Sequence, residues 1–456
     1  MTTLQRWTMT AVLAATAILM LDIAVVNTAL PTLQADLDTD LHALKWVLDA
    51  YTLALASIVL TAGSLADRFG RRRLFTLGVI VFTVSSAAAA ASGSIELLIA
   101  TRAVQGLGAA LMFAVTLALL SDVFRTPQER TGAFAAYGAT IGASFALGPV
   151  VGGLLTEALS WEWVFIVNVP IGLVVLAITA TKLAESRDPN PPAIDWAGQV
   201  TLVAGLFGLV YGLLGAAEHG WGETQVVVAL AGGVALLVAF VVIEATSRAP
   251  MMPLGFFRQR GFAAAQLAAT AISAGLFSTF IYIMLYLQEV LGYSPVEAGA
   301  ALVPGMFMNL LFAALTAKLA PRLAPGRLIV VGMTLVAVGM ALISVVDADS
   351  TWLDMQPGFM LAMAGTGLFN ATASALSLDV PPHQAGLATG IHDTARQAGL
   401  AIGIAALGTL VTPADFVSGF QHVLLVGAGV AAFGAVASFF LLRTTGPRAA
   451  VAAQQA

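Results

Sequence analysis

Five charged residues interrupt long apolar stretches of the sequence and are the first candidates for chemistry. They are Asp22, Asp49, Arg102, Asp393 and Arg396. A charge inside a bilayer costs about 2.5–3.5 kcal/mol by insertion scales. Residues kept at that cost are expected to bind a proton, to pair with another charge or to meet a charged ligand.

The composition indicates which elements must position these charges. Of 456 residues, 59% are hydrophobic and 10% are charged, and the mean hydropathy is +0.91. A soluble domain has roughly 25% charged residues, so this chain cannot cover a water-facing surface. Its apolar stretches of about twenty residues match membrane-spanning helices and are too long for the strands of an outer-membrane barrel. The sequence therefore predicts an all-α integral membrane protein.

Fourteen membrane-spanning helices are predicted. The first begins close to the start of the chain with no cleavage site after it, so we expect it to remain as a signal anchor. An even number of spans places both termini on one side of the membrane. The predicted ranges are 7–30, 44–65, 74–93, 97–121, 132–157, 162–182, 196–216, 224–243, 261–288, 296–318, 328–346, 355–378, 387–412 and 421–443.

The basic residues indicate which side that is. Of the 20 Lys and Arg residues, Arg102 and Arg396 lie deep inside spans and Lys45 falls on the side opposite the termini. The remaining seventeen fall on the side of the termini. The positive-inside rule therefore predicts cytoplasmic termini. Arginine is far commoner than lysine, which hints at a GC-rich bacterial genome and a bacterial inner (plasma) membrane location.

Two gaps resemble each other and indicate an internal repeat. The gap at 317–327, after the tenth span, looks like a worn copy of the gap at 63–73, after the second. Two six-helix halves with two extra helices between them produce this spacing, although short basic turns can also look alike by chance. The predicted division is a six-helix bundle over 1–182, a linker with two helices over 183–255, a second six-helix bundle over 256–444 and a cytoplasmic tail over 445–456.

What the sequence lacks narrows the function further. No gap exceeds about fifteen residues, which leaves no room for a nucleotide-binding domain. There is no cysteine and no GxxxxGK[ST], HExxH or GxSxG motif. We therefore expect no enzyme activity, no cofactor, no metal site and no nucleic-acid partner. The expected partners are small lipophilic substrates, protons and the lipid bilayer, and the chain is expected to act as a monomer.

Three of the five charges are predicted to lie at similar depth in the first bundle. Counting 1.5 Å per residue places Asp22, Asp49 and Arg102 in the outer half of the membrane. Burial favours a neutral carboxylic acid and a nearby arginine favours the carboxylate, so such an acid can bind and release protons at cellular pH. These three residues are candidate proton-coupling groups. A static ion pair between helices is the alternative.

Four segments carry recognisable motifs, in order along the chain. They read LDIAVVNTALP at 21–31, GSLADRFGRRR at 63–73, RAVQGLG at 102–108 and GPVVGG at 148–153. These segments resemble motifs of the major facilitator superfamily, specifically of its fourteen-helix drug:proton antiporter branch, which includes quaternary-ammonium and tetracycline exporters. The resemblance covers nearly the whole chain. It implies the major facilitator fold, with two six-helix bundles plus two extra central helices, and transport by alternating access.

The loop segment holds a candidate conformational latch. Gly63, Asp67, Arg68, Gly70 and Arg71 follow the second span, where acidic and basic groups can interact with helix ends. Such a cluster can hold the two halves together in one state and release them in the other. A plain positive-inside anchor is the alternative.

The fifth-helix segment resembles the motif associated with antiporters. Gly148, Pro149, Gly152 and Gly153 remove side chains and one backbone donor. They allow a bend and a close approach of helices across the seam between bundles. A simple packing kink is the alternative.

The second half has its own charge pair. Asp393 and Arg396 are three residues apart and so share a helix face. Either they neutralise each other as a structural pair, or Asp393 is a second acidic site that meets an entering cation near the cytoplasm. The neighbouring His392 is expected to be an interface residue, with a proton relay as the alternative.

The predicted substrate cavity combines acids, amides, aromatic rings and methionines. Aromatic and methionine side chains adapt to flat, varied ligands, and an acid suits a lipophilic cation that leaves when a proton arrives. The predicted lining residues are Asp22, Asn27, Gln105, Asn168, Phe277, Phe280, Met306, Asn309, Phe369, Asn370 and Asp393.

The sequence therefore predicts a proton-coupled antiporter that exports amphipathic, cationic drugs or dyes. A dedicated exporter of one antibiotic or metabolite is the first alternative. A membrane sensor that transports nothing is the second.

Overall fold

The computed structural model describes residues 1–187, 193–247, 249–319, 323–377, 380, 385–411 and 415–443. Within these residues the chain forms long helices joined by short turns, with a short 3-10 helix at Leu254–Arg258. The long helices are α1 Thr3–Asp36, α2 Leu41–Phe69, α3 Arg71–Ala90, α4 Ile95–Val123, α5 Pro127–Ala158, α6 Trp163–Lys182, α7 Trp196–His219, α8 Thr224–Thr246, α9 Arg260–Val290, α10 Pro295–Leu319, α11 Pro325–Ile343, α12 Trp352–Ser377, α13 Ala385–Gly408 and α14 Phe416–Leu442.

The all-α prediction is confirmed. The number of spans is compatible with the predicted fourteen. In the described part of the chain, twelve helices are long and apolar enough to cross a membrane, or thirteen if the bent helix α5 is counted as one span. Helix α13 is not among them. Its 24 residues extend about 36 Å, which is long enough to cross a membrane. Its sequence includes the charged residues Asp393 and Arg396. The count of fourteen spans stays a prediction.

Capping side chains define several helix starts. Thr2 and Thr126 form capping boxes with Gln5 and Glu129, and Asp40 accepts a hydrogen bond of 2.8 Å from a backbone N–H in the first turn of α2. These caps satisfy backbone groups that a helix end would leave unpaired. Helix α1 runs past the predicted end at 30, through Pro31.

The two sets of six helices pack in the same way. In the first set, α1 packs against α5 and α6, and α4 packs against α2 and α3. In the second set, α9 packs against α13 and α14, and α12 packs against α10 and α11. Helix n of the first set therefore corresponds to helix n + 8 of the second. The structure confirms two six-helix bundles, whereas the residue boundaries between them stay a prediction.

Two long helix contacts join the bundles. One seam is formed by α2 with α13, and the other by α5 with α10. The extra helices α7 and α8 pack on each other, and α7 also contacts α2 and α13. We call the membrane face that carries the N-terminus of α1 the terminal side and the opposite face the far side.

Candidate functional site

A cavity of about 100 Å³ lies between the two bundles. Its wall is mostly apolar, with a few polar groups that converge on it, which is the usual character of a small-molecule site. Both bundles contribute. The predicted residues that line it are Asn27, Phe277, Phe280, Met306, Asn309, Asn370 and Asp393, and two arginines join them, Arg102 and Arg396.

Three predicted lining residues lie behind the wall. Asp22, Gln105 and Asn168 are at most 1% exposed and do not line the cavity. On α1 the cavity stripe contains Ile23 and Asn27, and Asp22 points about 100° away from Ile23 into the first bundle. The prediction that these three residues line the cavity is therefore wrong for this conformation.

Phe369 is also misplaced by the prediction. It is fully buried in the core of the second bundle, while its neighbour Asn370 lines the cavity. Adjacent residues of a helix point about 100° apart, so the two side chains cannot share that wall.

Asp22 and Arg102 form a buried ion pair. Arg102 Nη1 lies 2.6 Å from Asp22 Oδ2, and both residues are 1% exposed. The other carboxylate oxygen, Oδ1, accepts hydrogen bonds from Gln105 Nε2 at 2.9 Å and from Asn168 Nδ2 at 2.7 Å. Helices α1, α4 and α6 thus meet at one carboxylate.

Arg102 connects this buried cluster to the cavity. Its Nε donates to the carbonyl of Val47 at 3.1 Å, and its guanidinium lies 4.2 Å from the centre of the Tyr51 ring. The same side chain lines the cavity. Any change of charge on Asp22 therefore alters a group that a bound molecule can touch.

Asp49 does not join the ion pair. It is fully buried, and neither carboxylate oxygen has a hydrogen-bond partner among the described residues. Lys45, one turn earlier on α2, is its nearest opposite charge by sequence and is 3% exposed. The sequence analysis did not count Lys45 among the charges inside the membrane, because the predicted helix starts at 44, only one residue earlier, whereas α2 begins at Leu41. The sequence did carry a signal for this pair, because a lysine and an aspartate four residues apart lie on the same face of a helix.

Lys45 also reaches across to the other bundle. Its Nζ donates at 3.0 Å to the carbonyl of Gly408, the last residue of α13. A cation at a helix C-terminus is stabilised by the unpaired carbonyls there. Nearby, the hydroxyl of Tyr282 donates to the carbonyl of Ile404 at 3.1 Å.

Two further hydrogen bonds join the bundles on the far side. Gln288 Nε2 donates to the carbonyl of Thr28 at 3.0 Å. The backbone N–H of Val296 donates to Glu157 Oε2 at 3.1 Å. Together with Lys45, these contacts close the far side of the cavity.

The glycines of the fifth-helix motif permit close contacts in two directions. A Cβ atom added to Gly152 would lie 2.8 Å from the carbonyl oxygen of Val25 on α1. One added to Gly153 would lie 2.8 Å from the Cα of Val296 on α10. Gly148 faces the Cβ atom of Ala24 on α1 still more closely. The motif therefore brings α5 against its own bundle and against the other one.

Helix α5 also bends, by 43°, between Ser144 and Leu147. Pro149 has no N–H to donate to the carbonyl four residues earlier, which explains a bend at this position.

The loop cluster is held inside the first bundle. Arg71 donates to Asp67 Oδ1 from Nη2 at 2.9 Å and to Asp122 Oδ1 from Nη1 at 2.6 Å. Ser186 donates to the other oxygen of Asp122. Gly70 has φ +109°, which favours glycine. Asp122 was missed by the sequence analysis, although a carboxylate near the C-terminus of α4 needs a cationic partner.

The other loop residues have fewer contacts. Arg68 is exposed, and a Cβ atom added to Gly63 would meet no described atom within 4 Å. In this conformation the described part of the loop cluster is bonded to α4 and to the segment after α6.

Asp393 and Arg396 both line the cavity but do not form an ion pair among the described residues. Of the two alternatives for this pair, a direct ion pair is not seen among the described residues in this conformation. His392 does not line the cavity, and its Nδ1 lies 3.1 Å from both Gln266 Oε1 and Ser377 Oγ.

Paired six-helix bundles with a cavity at their interface, closed on one side by contacts between the bundles, define a membrane transporter of the alternating-access type. The family model for the Major Facilitator Superfamily matches residues 12–404. The chain belongs to this superfamily.

Curated relatives include proteins of Streptomyces and Mycolicibacterium. The chain is 36% identical to the puromycin resistance protein pur8 of Streptomyces alboniger, over 90% of this chain and 82% of that protein. It is 35% identical to the tetracenomycin C resistance and export protein of Streptomyces glaucescens, over 89% of this chain and 75% of that protein. It is 34% identical to the multidrug efflux pump LfrA of Mycolicibacterium smegmatis, over 90% and 81%.

Solved structures support the fold. An auto-inhibited peptide transporter of the POT family matches with a TM-score of 0.72 at 14% identity, over 96% of this chain and 97% of that one. The POT family transporter PepTSo matches with a TM-score of 0.70 at 15% identity, over 96% of this chain and 98% of that one.

Proposed function

We propose that this protein exports amphipathic drugs from the cell in exchange for protons. The observation that carries the proposal is the buried Asp22–Arg102 pair, because Arg102 is also part of the cavity wall. The names of the relatives, which describe antibiotic resistance, export and multidrug efflux, support the choice of substrate class.

Proton coupling follows from the position of Asp22. A proton on this carboxylate removes the charge that holds Arg102, and an unpaired arginine in a buried site is costly. Arg102 then turns to other partners, and the change reaches the cavity wall. Binding of a proton to Asp22 and binding of a substrate cation in the cavity thereby act on the same equilibrium between the two conformations. The two ligands therefore compete.

The contacts between the bundles support a direction of transport once the orientation of the chain is inferred. We infer that the termini are cytoplasmic, so the bonds of Lys45, Gln288 and Glu157 close the outer face. The loop cluster around Arg71 then lies at the cytoplasmic face and, in the opposite conformation, latches the first bundle to the second.

The remaining assignments belong to the same proposal. The protein resides in a bacterial plasma membrane, acts as a monomer and transports without catalysing a chemical reaction. The bundles extend over 1–182 and 256–444, with the linker 183–255 between them and a cytoplasmic tail over 445–456.

A dedicated exporter of one antibiotic is the second candidate. The cavity of about 100 Å³ is smaller than the roughly 300–1,000 Å³ of drug-sized sites, and amide groups of Asn27, Asn309 and Asn370 lie on its wall. Fixed hydrogen-bonding groups select one defined ligand more strongly than an apolar surface does.

The proton-coupling proposal is tested by ethidium efflux from energised cells, with and without a protonophore. We expect Asp22→Asn to abolish protonophore-sensitive efflux, because it removes the titratable charge and keeps the shape of the side chain. Asp36→Asn, at the exposed end of the same helix, is the matched control and should behave as wild type.

Efflux by Asp22→Asn at the wild-type rate, still sensitive to the protonophore, would contradict the proposed coupling. No ethidium efflux by the wild type, with efflux of a single antibiotic instead, would favour the dedicated exporter.

A further inference from the structure

Two opposite charges face the cavity from one turn of α13 without bonding to each other. Asp393 is 6% exposed and Arg396 is partly buried, and both lie on the cavity wall. Among the described residues the structure records no ion pair between them and no hydrogen bond to either side chain. The Nε of Arg396 is buried without a partner.

The surrounding residues do not supply the missing partners. His392, the next titratable residue on α13, does not line the cavity, and its Nδ1 lies 3.1 Å from both Gln266 Oε1 and Ser377 Oγ. The acid of the first bundle, Asp22, is already bound by Arg102, Gln105 and Asn168.

Apart from Arg102, the other helices that border the cavity contribute neutral groups to its described wall. Phe113 comes from α4, Ile141 from α5, and Phe277 from α9. Asn309 from α10 donates its own amide hydrogens to Thr366 and Met363. Besides Arg102, whose guanidinium is bound to Asp22, the described wall of the cavity therefore offers one carboxylate and one guanidinium, with aromatic and apolar surfaces beside them.

A guanidinium binds a planar carboxylate through two parallel hydrogen bonds, and a carboxylate attracts an ammonium or iminium group. Residues three apart on a helix have Cβ atoms about 5–6 Å apart. A ligand that satisfies both charges must carry an anion and a cation on one amphipathic body.

We propose that the cavity takes zwitterionic amphipathic molecules, with Arg396 receiving the anionic group and Asp393 the cationic group. This inference rests on the proposed export function and specifies its substrate class. A simple lipophilic cation would satisfy Asp393 and leave Arg396 unpaired, so it is the poorer ligand.

Rhodamine 110 and rhodamine 123 provide a matched pair of probes. The first is a zwitterion with a free carboxylate, and the second is its methyl ester and a cation. Binding of each dye to the purified full-length protein is measured by fluorescence anisotropy in detergent. The variants are Arg396→Gln, Arg396→Lys and Asp393→Asn, with Arg327→Gln as control because Arg327 is exposed at the start of α11 in the same bundle.

The wild type should bind rhodamine 110 more tightly than rhodamine 123. Arg396→Gln should weaken rhodamine 110 roughly 10- to 100-fold, as expected for a lost charge-assisted hydrogen bond, and change rhodamine 123 less than about twofold. Arg396→Lys should recover part of the loss, and Asp393→Asn should weaken both dyes. Arg327→Gln should bind both dyes as the wild type does.

Equal loss of both dyes in Arg396→Gln would overturn the subsite, since it would show only a structural role. Failure of the wild type to bind rhodamine 110 would overturn it as well. Efflux of rhodamine 110 from energised cells separates the two proposals. Arg396-dependent binding of rhodamine 110, with rhodamine 110 efflux that the protonophore does not change, would support the subsite and contradict the antiport. Proton-sensitive efflux by the wild type, together with equal loss of binding of both dyes in Arg396→Gln, would support the antiport and contradict the subsite.

Discussion

Two buried aspartates of the first bundle differ in how their charges are balanced. Asp22 has an arginine and two amide groups around its oxygens, whereas the oxygens of Asp49 have no hydrogen-bond partner in the described part of the chain. The nearest balancing group for Asp49 is Lys45, which also holds the end of α13. The two acids are therefore coupled to different elements, Asp22 to α4 and α6 and Asp49 to the far-side closure.

Lys45 and Asp49 are predicted to be energetically coupled. Lys45→Met leaves a buried carboxylate without its cation, and losses of about 3–5 kcal/mol are typical of such a change. Replacing both residues, in Lys45→Met with Asp49→Leu, should cost less than the sum of the single changes by at least about 1 kcal/mol. Thermal unfolding of the purified protein, followed by circular dichroism, measures the cycle.

The control for this cycle is Lys182→Met, because Lys182 is exposed at the end of α6. It should change stability by no more than about 0.5 kcal/mol. Additive single effects would show that the two charges do not interact.

Single residues were predicted from sequence where their type was unusual for their surroundings. Asp22 and Arg102 stand out as charges in apolar stretches, and the fold brings them to 2.6 Å. Lys45 was missed because a helix end read from sequence is uncertain by several residues. Phe369 was misplaced because periodicity fixes the angle between neighbours and leaves open which of them faces the cavity.

At the scale of elements, α5 belongs to both bundle interfaces. Its glycines press it against α1, and Gly153 presses it against the start of α10. Glu157, one turn further on, accepts the hydrogen bond from Val296. Helix α5 thus packs against α1 in its own bundle and against α10 in the second bundle. Only the contact with α10 has to open during transport.

A methyl group at Gly153 is predicted to oppose far-side closure. It would lie 2.8 Å from the Cα of Val296, and overpacking of this kind costs about 1–3 kcal/mol. In Gly153→Ala, labelling of Phe280→Cys by an impermeant maleimide from the far side should become faster, and ethidium efflux should fall.

Gly138→Ala is the matched control on the same helix, because a Cβ atom there meets no described atom within 4 Å. Its labelling and efflux should equal those of wild type. Unchanged labelling in Gly153→Ala would show that this contact does not limit closure.

The elements themselves followed from the sequence because each apolar stretch is long and its ends carry capping or turn residues. The repeat was visible as two similar gaps, and the packing of the two sets of six helices repeats accordingly. Helix interruptions were not predicted. The turn at Val167 in α6 and the 3-10 segment Phe277–Thr279 in α9 depend on packing across the bundle.

At the scale of the whole molecule, transport requires the far-side contacts to open. The chain has no cysteine, so introduced pairs can be cross-linked without removing native thiols. A bifunctional maleimide across Thr28→Cys and Gln288→Cys joins α1 to α9 and should stop ethidium efflux. Tyr293→Cys with Trp352→Cys lies within the second bundle, where Tyr293 Oη is 3.4 Å from the backbone nitrogen of Trp352, and is the control.

Cross-linking of the control pair should leave efflux intact. Efflux that continues after complete cross-linking of Thr28→Cys to Gln288→Cys would exclude alternating opening at this site.

The extra helices make the two seams of the molecule unequal. Leucines of α7 pack in one apolar cluster with Leu53, Leu60 and Ile391, and Gln199 of α7 donates to the carbonyl of Ser57 at 2.7 Å. The α2–α13 seam is therefore covered by protein on its lipid-facing side, whereas neither α7 nor α8 covers the α5–α10 seam. A hydrophobic molecule dissolved in the bilayer therefore meets the α5–α10 seam directly, whereas α7 stands between the lipid and the α2–α13 seam.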